Sequence, residues 1–109
     1  MSQPTERELT RYDKLVRDKI PARIEAKGER CAWYTAADGE FREKLLAKLQ
    51  EEAAEFVADP SREELADVME VIEALRELYG WTAEEVAALQ AEKREARGGY
   101  RDRIVLEWS

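Results

Sequence analysis

Residues 41–79 read FREKLLAKLQEEAAEFVADPSREELADVMEVIEALRELY, and the spacing of apolar side chains in this stretch decides the fold. With Leu45 set at zero and each residue advanced by roughly 100°, Phe41, Leu49, Glu52 and Phe56 all fall on one narrow stripe. A stripe of that width predicts a helix from about Gly39 to Ala58 that buries one face. Asp59-Pro60-Ser61 breaks it, because proline has no N–H to continue the hydrogen-bond ladder. Ser61 followed by Glu64 then has the form of a capping box, which opens a second helix running to about Tyr79 and stopping at Gly80.

The same signals extend outward in both directions. Thr82 with Glu85 is another capping box, predicting a helix from about Ala83 to Arg97 that ends at Gly98-Gly99. Upstream, Ile20-Pro21 opens a short helix through about Lys27, with proline tolerated in the first turn and Gly28 closing it. Arg30–Thr35 (RCAWYT) and Arg103–Trp108 (RIVLEW) are β-prone and would pair as a small two-stranded β element. The expected fold class is therefore mainly α, an antiparallel helical bundle with the short helix at its side. No internal repeat or long linker divides residues 1–109, so a single domain is expected.

Composition removes whole classes of function. The chain has 109 residues, 39% of them charged, one cysteine and no histidine. Without histidine there is no Ser-His-Asp or Cys-His catalysis, and Cys31 alone supplies neither an internal disulfide nor a tetrahedral zinc site. Any bound metal must be held by oxygen, which selects Mg²⁺, Mn²⁺ or Ca²⁺. No run of apolar residues approaches a membrane span, and the polar opening MSQPTERELTRYDK has no secretion-signal core, so a cytoplasmic protein with no membrane partner is expected. Net charge is about +2 over residues 1–30, −11 over 31–92 and +2 over 93–109. An acidic centre cannot follow a phosphate backbone, so no nucleic acid polymer is expected as partner.

The acidic residues are unusual for where they fall. Glu52 lies inside the apolar stripe, and Glu55 lies at its edge about 60° away. On the next helix Glu64 and Asp67 open a seam continued by Val71, Ala74 and Leu78, beside a second seam of Leu65, Val68, Met69, Ile72 and Tyr79. Antiparallel packing across the Asp59–Ser61 break brings both acidic pairs to one level, where their repulsion calls for a cation. A salt-bridged acidic surface is the plain alternative, since such spacings arise often on acidic helices. The two-sided apolar surface of the second helix exceeds what one layer of neighbours covers, so a homodimer or higher homo-oligomer is expected.

These residues resemble the all-α nucleotide pyrophosphatase superfamily, which includes the MazG-like proteins and the phosphoribosyl-ATP pyrophosphohydrolases. The pattern is Glu51-Glu52-Ala-Ala-Glu55 followed by Glu64-Leu-Ala-Asp67-Val-Met-Glu70. Tyr12-Asp-Lys14-Leu-Val-Arg17-Asp18-Lys19-Ile-Pro21 is similar to the opening of its small house-cleaning branch, and Glu92–Tyr100 to its closing basic segment. One departure is that Arg94 follows Lys93 where MazG-like proteins carry a Lys-Asn pair. The resemblance implies Mg²⁺, with Mn²⁺ as substitute, on a quartet of Glu52, Glu55, Glu64 and Asp67. It also implies an oligomer whose active sites draw on more than one chain.

Hydrolysis between the α and β phosphates of a nucleoside triphosphate needs neutralised charge, a positioned water and basic groups for the departing pyrophosphate. Lys14, Arg17 and Lys19 on one side and Lys93, Arg97 and Arg103 on the other are candidates for the phosphates. Glu51 or Glu52 is the candidate base, and Tyr100 or Trp33 is a candidate platform for the nucleotide base. The leading expectation is a nucleoside triphosphate pyrophosphohydrolase acting in nucleotide house-cleaning. The alternatives are phosphoribosyl-ATP hydrolysis and a non-catalytic helical interaction module.

Overall fold

A computed structural model describes residues 10–109; the first nine residues of the polar opening lie outside the described residues. Four helices follow in order: α1 (Ile20–Ala26), α2 (Asp38–Ala58), α3 (Arg62–Leu78) and α4 (Ala83–Arg97). Their ends fall where the caps place them. Ser61 Oγ accepts from the Glu64 N–H at 3.1 Å, and Thr82 Oγ1 accepts from the Glu85 N–H at 3.1 Å. Proline stands in the first turn of α1. At the end of α3, Gly80 adopts φ 74°, which lets its N–H reach Glu77 O and the Trp81 N–H reach Arg76 O, both at 3.1 Å. That pairing satisfies carbonyls the helix would otherwise leave open.

The expected β element does not form. Among the described residues there is no strand, and both 30–35 and 103–108 are irregular. The physical reason is the lack of a buried face. Trp33 and Tyr34 are exposed, as are Ile104, Val105, Leu106 and Trp108, and a two-stranded ribbon with neither face packed is marginal in water.

The chain divides into two compact units, one ending at Ile72 and the other running Glu73–Ser109, with the boundary inside α3. In the first unit, α2 and the start of α3 form a helical hairpin across Asp59–Ser61. Leu45 and Val71 are the buried apolar side chains among the described residues. Phe41, Leu49 and Phe56 are half-buried along the same stripe of α2, and Ala74 and Leu78 continue the Val71 seam of α3. The other seam of α3 is open, with Leu65, Met69 and Ile72 all exposed. In the second unit, Tyr79 and Trp81 stack with ring centroids 5.0 Å apart. Among the described residues no helix is long and apolar enough to cross a membrane.

Candidate metal centre

The hairpin brings three carboxylates together. Glu52 reaches the site from the apolar stripe of α2, while Glu64 and Asp67 arrive from the first two turns of α3. One oxygen from each lies within 4.8 Å of the others. Glu52 is only 8% exposed, and Glu64 and Asp67 are half-buried. Glu52 Oε2 and Glu64 Oε2 are both buried with no hydrogen-bond partner. A carboxylate oxygen in that state costs on the order of 1–3 kcal/mol or more, and here two on facing helices are left unpaired by the surrounding side chains.

Ser61 and Glu64 explain part of this arrangement. The Ser61 hydroxyl caps the Glu64 N–H, but the reciprocal bond that a full capping box would make from Glu64 back to the Ser61 N–H is not formed. The Glu64 carboxyl belongs to the cluster instead.

Three cations frame the site from the first unit. Lys14 Nζ donates to Glu51 Oε1 at 2.7 Å, and Arg17 Nη2 donates to Asp67 Oδ1 at 2.7 Å. Lys48 Nζ stands 3.4 Å from both Glu51 Oε2 and Glu52 Oε1. The hydrogen bond to Lys14 holds the Glu51 carboxyl below its ordinary value, and the same bond raises the Lys14 ammonium. Burial pushes Glu52 up, reinforced by the neighbouring Glu55 and opposed by Lys48. Adjacent glutamates on one helix are thus driven in opposite directions, a separation typical of sites that handle protons and cations.

The residues singled out in the sequence divide clearly. Glu52, Glu64 and Asp67 converge, whereas Glu55 is exposed and stands beside Glu52 outside the three-carboxylate cluster. Glu51 borders the site through Lys14 and Lys48. Lys19 caps α1, is exposed, and makes no ion pair among the described residues. Lys93 and Arg97 on α4, with Tyr100 and Arg103 in the turn that follows, are exposed members of the second unit. Trp33 is exposed in the segment between α1 and α2. Lys48 was not among the sequence candidates. Its signal was present, since it precedes Glu51 by three and Glu52 by four residues, the helical pairing distances.

The donor set suits a hard divalent ion. Magnesium holds its oxygens at 2.0–2.1 Å, so two ligands of one ion stand at most about 4.2 Å apart. Ligands at right angles on such an ion stand about 3 Å apart, so carboxylate oxygens within 4.8 Å of one another would draw closer by side-chain rotation to share it.

No family model, curated protein or solved structure matches this chain.

The site must therefore be interpreted from its own chemistry. That chemistry comprises two unpartnered buried oxygens, a third carboxylate held by an arginine, and cations at the rim.

Proposed function

We propose that this chain is a Mg²⁺-dependent nucleotide pyrophosphohydrolase that converts a nucleoside triphosphate to the monophosphate and pyrophosphate. The observation that carries the proposal is the buried, unpartnered pair Glu52 Oε2 and Glu64 Oε2 beside Asp67. The substrate class is supported by the resemblance in residues 12–21, 51–72 and 92–100. Glu52, Glu64 and Asp67 would hold Mg²⁺ or Mn²⁺, with Glu55 close enough to Glu52 to assist. The ion supplies charge neutralisation for the phosphates and acidifies water.

The chain's own residues do the rest. Lys14 and Arg17, now paired with Glu51 and Asp67, would exchange those partners for phosphate oxygens. Glu51, released from Lys14, would accept the proton from the attacking water. The water oxygen bonds to the α-phosphorus, the α–β anhydride bond breaks, and pyrophosphate leaves as the anion. Lys93, Arg97 and Arg103 are proposed for the pyrophosphate, and Tyr100 for the nucleotide base. The proposed working form is a homodimer or higher homo-oligomer in the cytoplasm, since Leu65, Met69 and Ile72 leave one seam of α3 uncovered.

The test is pyrophosphate release from canonical and modified nucleoside triphosphates and phosphoribosyl-ATP, with Mg²⁺, Mn²⁺ or EDTA. Metal-dependent release that Asp67→Asn reduces at least a hundredfold is expected, with helicity unchanged. If divalent ions bind but no substrate turns over, the open α3 seam favours a non-catalytic interaction module.

A further inference from the structure

Lys48 has no part in the proposed hydrolysis, yet of the three cations framing the centre it is the most enclosed. Its side chain is 18% exposed, against 44% for Lys14 and 57% for Arg17. Lys14 and Arg17 are therefore free to turn toward a substrate, while an ammonium on an enclosed stem stays with its partners. Lys48 stands one turn before Glu51 and Glu52 on the same side of α2, with Nζ 3.4 Å from Glu51 Oε2 and 3.4 Å from Glu52 Oε1. Glu51 is anchored in turn, since its Oε1 accepts from Lys14 at 2.7 Å. The second oxygen of Glu52, Oε2, is buried and unpartnered. The two oxygens of this one carboxyl thus have different surroundings, a fixed ammonium on one and an open position on the other.

We propose that Lys48 is a positioning residue that confines Glu52 to a single ligand oxygen and so weights the centre toward Mg²⁺ over Ca²⁺. The inference rests on the metal centre of the proposed function and not on turnover. Ca²⁺ gathers roughly six to eight oxygens in a loose shell and readily takes both oxygens of a carboxylate, whereas Mg²⁺ holds a strict octahedron completed by waters. The two oxygens of one carboxylate are closer together than that octahedron's right-angle spacing, so Mg²⁺ is suited to one oxygen from each group. An ion on Oε2 alone leaves the Lys48–Glu52 pair in place. An ion on both oxygens shares Oε1 with the ammonium, and the repulsion between the two positive charges stretches the pair or breaks it. Glu64 likewise offers a buried unpartnered Oε2 from the facing helix, so single-oxygen donors stand on both sides of the hairpin.

Calorimetric titrations of the full chain with MgCl₂ and with CaCl₂ test this. Lys48→Met keeps the aliphatic stem and removes the charge, which changes the affinity for both divalent ions together. The ratio of the two dissociation constants, Ca²⁺ over Mg²⁺, therefore isolates the geometry. In Lys48→Met that ratio is expected to fall at least fivefold, while Lys48→Arg, which keeps a cation beside Oε1, is expected to hold it within twofold of the parent. Lys48→Ala repeats the measurement should Lys48→Met lose helicity. A salt bridge with a merely structural role lowers the melting temperature and leaves the ratio alone, so an unchanged ratio in both Lys48→Met and Lys48→Ala overturns the proposal and leaves the metal centre standing. Folded variants that bind neither ion overturn it too, because Lys48 would then build the centre and not choose its ion. A parent chain that binds neither ion removes the metal centre itself, and the role of Lys48 with it.

Discussion

At Glu52 burial and charge act against each other. The carboxyl lies among Leu45, Leu49 and Phe56 on the stripe that the hairpin must bury, and one of its oxygens has no partner. Burial raises its pKa above the ordinary 4.5. A carboxyl raised in the folded state binds its proton more tightly than in the unfolded chain, so its contribution to stability is full below the unfolded value and is lost as pH climbs through the folded one. Glu51 has the opposite sign, since its lowered pKa gives stability above the unfolded value that is lost on acidification. Glu52→Gln removes the buried charge. In EDTA at pH 8 the variant should melt above the parent by an amount on the order of 1 kcal/mol, roughly 4–8 °C for a domain of this size. The gap should narrow as pH falls toward the carboxylate range, where the parent Glu52 takes up its proton, and added Mg²⁺ should no longer raise the melting temperature of the variant. Calorimetry across pH checks this, and a variant less stable than the parent at pH 8 contradicts it. The anomaly at Glu52 was legible in the sequence because helical spacing alone puts it on the stripe. The grip of Lys14 on Glu51 and of Arg17 on Asp67 was not, because those pairs are separated by 37 and 50 residues and no local period links them.

Among the secondary-structure elements, local chemistry was enough for helices and not for strands. Ser61, Thr82, Pro21 and Gly80 act on the backbone within four or five residues of themselves, so boundaries read from them agree with α1–α4 to within a residue or two. Segments 30–35 and 103–108 have β-prone side chains, but a strand exists only through a distant partner and a covered face. Neither segment has them. Ser61 links an element boundary to the site, because the same hydroxyl that starts α3 orients the turn carrying Glu64. Ser61→Ala should cost about 1 kcal/mol and lower the melting temperature by roughly 4–8 °C. It should also weaken the Mg²⁺-induced stabilisation severalfold, whereas Thr82→Ala at the start of α4 should cost similar stability and leave the Mg²⁺ response intact. Thermal melts of both variants with and without the ion separate these effects, and equal losses of Mg²⁺ response would detach the cap from the site.

For the molecule as a whole, two buried apolar side chains among the described residues are a small core. Leu45 and Val71 together are worth roughly 3–6 kcal/mol on transfer from water, and half-buried neighbours add partial contributions. Apolar side chains on α3, α4 and segment 104–108 stand exposed. The two-seamed pattern of α3 announced this surface in the sequence, but which face meets which partner depends on a second chain that no single-chain period encodes. If association completes the core, the melting temperature should rise by several degrees between 1 and 100 μM protein, because binding that favours the folded form stabilises it by mass action. Sedimentation over the same range should show dimers or larger species, and a concentration-independent melt of a monomer would contradict both.

If the chain finishes its core only with a copy of itself, as proposed, it also carries a gauge of its own abundance. Newly made molecules in short supply would spend more time open to proteases, while a well-stocked pool would protect its members. The cell would then hold this protein above a threshold or barely at all, and a mild change in synthesis rate would change its lifetime as well as its amount.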